Sequence, residues 1–101
     1  MNAPLKTEIP MEAVAKLCRE YHVQELAIFG SALRPDFGPH SDIDLLVTFH
    51  PEARIGLMEL CGLQAELSDL LGRNVDLVPK NGLKPLIREA VLSQAQVLYA
   101  A

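Results

Sequence analysis

The run DIDLLVTF at residues 42–49 limits the possible folds more than any other part of this 101-residue sequence. Its apolar residues Ile43, Leu45, Leu46, Val47 and Phe49 crowd into a segment too short for a typical globular helix, and the run stops at HPEA, so it is the strongest strand in the chain. A strand cannot stand alone, because its backbone donors and acceptors need partners. The available partners are VQELAIF at 23–29, closed by Gly30, NVDLVP at 74–79, closed by Pro79, and a short edge strand in QVLYA at 96–100.

Helical spacing fills the intervals. Met11, Val14, Leu17, Cys18 and Tyr21 follow Pro10, a residue suited to a first helical turn. Leu57, Leu60, Cys61, Leu67, Leu70 and Leu71 mark a long helix over about 54–71, with Gly72 as its C-terminal cap. Leu86, Ile87, Ala90 and Val91 fit a last helix, and SALR at 31–34 fits a turn or two of one. This alternation predicts an α/β (α+β) chain, with a small sheet of three to four strands and helices packed on it. Residues 1–101 read as a single domain, and residues 1–9, polar and proline-containing, as a loose N-terminal arm.

Half of the residues are hydrophobic, enough for one core but not for a second domain. A net charge of −4 and a pI near 5.2 exclude a surface built to neutralise an extended nucleic-acid backbone. Cys18 and Cys61 both fall on helices and read as small buried hydrophobes, not as a disulfide. His22, His40 and His50 are scattered, so no zinc-ligand spacing appears. With no signal-peptide pattern and no apolar run approaching ~18 residues, the chain reads as cytoplasmic and not membrane-bound.

Two aspartates interrupt the strongest strand. Asp42 and Asp44 project from one face while Ile43, Leu45 and Val47 project from the other, which sets the two carboxylates about 7 Å apart at their Cα atoms. Two neighbouring carboxylates resist joint ionisation unless a cation sits with them, and Mg²⁺ favours carboxylate oxygen while keeping positions for water and phosphate. Asp76 breaks the apolar pattern of NVDLVP in the same way, so a pairing of these two strands would converge three carboxylates on one surface. Taken alone, Asp42 also fits a solvated turn and Asp44 a water-facing edge position.

Gly30 and Ser31 stand where a strand ends and a helical turn begins, a place where free N–H groups favour an anion. Alone, the pair also fits an ordinary N-cap. Neither the P-loop nor the spaced glycines of a dinucleotide fold is present. The combination of Gly-Ser, a ten-residue spacer, Asp-x-Asp and a later strand aspartate is much harder to reach by coincidence.

At these residues the chain resembles the minimal nucleotidyltransferases of the polymerase-beta superfamily, across FGSALRPDFGPHSDIDLLV, LLGRNVDLVP and LKPLIREAVLSQAQVLYA. The resemblance implies a polymerase-beta-like fold with a small mixed sheet. It assigns the nucleotide phosphates to Gly30, Ser31 and Arg34, and two Mg²⁺ ions to Asp42, Asp44 and Asp76, with Asp76 also helping to deprotonate the acceptor. Family members often read Gly-Ser-Arg-x-Arg-Gly; here Ala32 replaces the first Arg and Pro35 the last Gly, which shifts weight onto Arg34.

The resemblance further implies ATP as co-substrate, and as partner a HEPN-domain ribonuclease toxin from an adjacent gene, silenced by transfer of AMP to its tyrosine in a hetero-oligomer. No part of the chain is left over to hold an acceptor. Two other readings stay open: an antitoxin that masks its partner without catalysis, favoured by Ala32 and Pro35, and a transferase for a small aminoglycoside-type acceptor. Asp36, His40, His22, His50, Lys84 and Tyr99 read as solvated, structural or interface residues.

Overall fold

The computed structural model describes residues 9–30 and 42–101. SALR, Asp36 and His40, and with them Ser31 and Arg34, lie outside the described residues. The elements are α1 (Met11–Glu20), β1 (Val23–Phe29), β2 (Ile43–Phe49), α2 (Leu57–Leu71), β3 (Val75–Pro79), a 3-10 turn (Lys80–Gly82), α3 (Pro85–Gln94) and β4 (Gln96–Ala100).

The strands form one mixed sheet in the order β3-β2-β1-β4. β1 runs antiparallel to β2 and to β4, and β2 runs parallel to β3 through the α2 crossover. One face is the core side. Ile43, Leu45 and Val47 of β2 meet Leu26 and Ile28 of β1, Val75 and Leu77 of β3, and Leu98 of β4, under Val14, Leu17 and Cys18 of α1 and Leu63 and Leu67 of α2. The alternation expected for the strongest strand therefore holds.

Local chemistry sets the element ends. Pro10 lies outside the first turn of α1 and its carbonyl accepts the Val14 N–H at 3.0 Å. Glu59 reaches back to accept the Gly56 N–H at 2.9 Å, fixing the start of α2. Gly72 closes that helix in the left-handed region, φ 68°, as its position in the sequence predicts. At the sheet edge, two side chains of α2 take up the outward amides of β3: Ser68 Oγ accepts from Val75 N–H at 3.0 Å and Gln64 Oε1 from Leu77 N–H at 2.9 Å. α1 and α2 are further tied where the Tyr21 hydroxyl donates to Glu66.

Three expectations change. Ile9, assigned to a loose arm, is buried in the core cluster and so belongs to the packed domain. Cys18 is buried, but Cys61 is exposed, because it lies off the Leu63 and Leu67 face of α2. α3 forms over the expected residues, yet none of them is buried; Leu86 is 96% exposed and Ile87 49%. The helical period in that segment reports amphipathicity and not burial.

Candidate active site

The register of β2 and β3 puts Asp44 directly opposite Asp76, on neighbouring parallel strands about 4.8 Å apart. Since the residues on either side, Ile43, Leu45, Val75 and Leu77, point into the core, both aspartates project from the opposite face of the sheet. The convergence expected from the two interrupted strands is thus met for this pair. Asp42 stands one residue before β2 and is exposed, as is Asp76; Asp44 is half-buried.

Gly30 completes this end of the sheet from the β1 side. Phe29 is opposite Asp44, and Gly30 follows with φ 76°, a left-handed conformation. A Cβ at Gly30 would overlap Asp44 Oδ2 and come within 3.1 Å of its Cγ. Glycine here makes room for the Asp44 carboxylate as well as allowing close backbone approach. Sequence reasoning assigned Gly30 to phosphate alone; its contact with Asp44 depends on long-range register.

Below this row, the same sheet face continues in two further rows. Ala27, Leu46 and Val78 form an apolar row, and Glu25 and Thr48 stand opposite each other one step further. Lys80, two residues after Val78, extends its ammonium across β2 to Glu25 Oε1 at 3.7 Å, with both side chains about one-third exposed. This pair was missed in the sequence, because it depends on the order of three strands and no local pattern signals it.

The donor set suits a hard cation. Among the described residues no three His, Cys, Asp or Glu side chains form a ready-made metal cage. Mg²⁺ does not need one, since it is commonly held by one or two carboxylates together with substrate phosphates. Asp44 and Asp76 supply such a carboxylate pair.

A mixed four-stranded sheet with paired strand carboxylates beside Gly30 defines the class: a nucleotidyltransferase-type domain. The nucleotidyltransferase domain family model matches residues 11–98, and the chain belongs to that family. Protein adenylyltransferase MntA of Thermococcus cleftensis is 38% identical over 79 residues, 78% of this chain and 78% of that protein. A solved structure assigned to a minimal nucleotidyltransferase is 38% identical with a TM-score of 0.75, covering 91% of this chain and 93% of that one. The complex of tri-AMPylated Shewanella oneidensis HEPN toxin with MNT antitoxin shares the fold at 21% identity and a TM-score of 0.67, covering 96% of this chain and 73% of the matched one. Among the described residues no helix is long and apolar enough to cross a membrane.

Proposed function

We propose that this chain is an antitoxin that transfers AMP from ATP to a tyrosine of a HEPN-domain toxin encoded by a neighbouring gene, in a hetero-oligomer with it. The observation that carries this reading is the opposition of Asp44 and Asp76 beside Gly30. The adenylyltransferase name of the Thermococcus relative and the AMPylated toxin bound to the Shewanella antitoxin support the choice of donor and acceptor.

Asp42, Asp44 and Asp76 would hold two Mg²⁺ ions, which supply charge neutralisation at the phosphates and a more acidic acceptor hydroxyl. Gly30, Ser31 and Arg34 hold the phosphate chain, with the backbone after Gly30 as a donor. The tyrosine oxygen attacks the α-phosphorus in line, a new phosphorus–oxygen bond forms, and the bond to the β-phosphate oxygen breaks. Pyrophosphate leaves, and the hydroxyl proton passes to the carboxylate of Asp76. Little covalent chemistry falls to the protein, whose role is to orient and to stabilise charge.

The test mixes purified chain, labelled ATP, Mg²⁺ and the neighbouring gene product. Label on a toxin tyrosine, with loss of its ribonuclease activity, is expected; a toxin neutralised without label overturns the reading. That second outcome would favour stoichiometric masking, for which the unburied helix α3 offers a surface. The double substitution Asp42→Ala, Asp44→Ala separates the two, since a masking protein keeps neutralising and an enzyme fails.

A further inference from the structure

The sheet face that bears the carboxylates does not end with them. Along β3, Asp76 and Val78 succeed one another on this face at a two-residue step of about 6.6 Å, and Lys80, the first residue of the 3-10 turn that follows, turns its ammonium to the same face, where it meets Glu25. One step is close to the length of a tyrosine side chain from hydroxyl to backbone. A tyrosine whose oxygen reaches Asp76 therefore brings its backbone over Val78, and the side chain of a residue flanking it spans the further step to Lys80.

Lys80 is held ready by Glu25. Their contact is long, 3.7 Å, and only partly shielded, with side-chain exposures of 34% and 36%. Such a pair is weak and exchanges a carboxylate partner at small cost. Glu25 nonetheless keeps the ammonium laid across β2 instead of trailing into solvent. Among the described residues, an acceptor approaching along this face meets the carboxylates of Asp44, Asp76 and Glu25, with the Lys80 ammonium set against Glu25.

We propose that Lys80 is a specificity-determining residue that binds an anionic side chain flanking the acceptor tyrosine, displacing Glu25 as it does so. The proposal rests on the transfer reading above. It identifies the acceptor by chemistry: a tyrosine with a carboxylate one or two residues away.

The experiment measures AMP transfer from ATP–Mg²⁺ to short synthetic peptides with a tyrosine flanked by glutamate, glutamine or lysine, alongside ATP–Mg²⁺ binding by titration calorimetry. The wild type is expected to favour the glutamate peptide over the glutamine peptide by about five- to tenfold in kcat/KM. Lys80→Ala removes that preference through KM of the glutamate peptide, Lys80→Arg retains it, and Lys80→Glu shifts it to the lysine peptide, while ATP–Mg²⁺ binding stays at the wild-type level throughout. A preference that survives in Lys80→Ala overturns the proposal. Equal labelling of the three peptides by the wild type, zero included, with ATP–Mg²⁺ still bound, also overturns it and leaves the transfer reading standing. Failure of the wild type to bind ATP–Mg²⁺ overturns the transfer reading, and this proposal with it.

Discussion

Asp44 and Asp76 are direct neighbours across the parallel pairing of β2 and β3, although thirty-two positions separate them in the chain. Two carboxylates so placed can share a divalent cation.

Removing one of them should therefore cost activity and leave the fold in place. Asp76→Asn is expected to lower AMP transfer by at least about 100-fold, as does Asp44→Asn, because each loses a charged oxygen ligand where charge develops. Asp76→Asn should fold as the wild type does, with a thermal midpoint close to the wild-type one without divalent ions, because Asp76 is exposed. Mg²⁺ with ATP should raise the wild-type midpoint and leave that of the variant nearly unmoved.

Gly30→Ala tests the space beside Asp44. The new methyl meets the carboxylate and sits on a backbone with φ 76°, so about 1–3 kcal/mol of stability should be lost. Activity should fall by more than the unfolded fraction explains, because Asp44 must move. Chemical denaturation and transfer assays on the same preparation separate the two effects.

His22 tests strain away from the site. It occupies the left-handed region at φ 59° between α1 and β1, where its carbonyl accepts the His50 N–H at 3.0 Å. Glycine adopts this conformation freely, so His22→Gly should gain about 0.5–1 kcal/mol in denaturant titration, with AMP transfer unchanged.

Alkaline pH should unfold the protein through α1. Burial pushes the Cys18 thiol up from 9.0 to about 11, against a weaker opposing pull from Arg19. The native state thus holds a proton that the unfolded chain releases earlier. Stability from this group is complete below about pH 9 and is lost as pH rises to about 11, by about 2–3 kcal/mol in all. The hydrogen bond to Glu66 raises Tyr21 as well, so its loss at high pH acts in the same direction. Cys18→Ala should flatten the fall between pH 9 and 11 in urea titrations, while Cys61, being exposed, reacts with a thiol reagent in the native state and Cys18 only on unfolding.

The parts of this protein that sequence made legible are those fixed by local pattern. The apolar runs marked all four strands, Gly72 marked the end of α2, and the interruptions at Asp44 and Asp76 marked the carboxylate face. The rest depends on pairings between distant segments. Nothing near Gly30 says that Asp44 will fill the space of its missing side chain, and nothing near Glu25 says that Lys80 will cross a strand to meet it. In α3, spacing gave the helix but not its surroundings, since periodicity does not state what, if anything, lies against a face.

Ser68 and Gln64 bind the outward amides of β3 from the helix that leads into it. Their spacing of four residues matches amides two apart on the strand, so both bonds form in one alignment. A slip of β3 by a single residue would break both and turn Asp76 toward the core. The crossover helix thus serves as a gauge: it checks the strand against its own length, so that the chain cannot settle into a sheet with one carboxylate facing the wrong way.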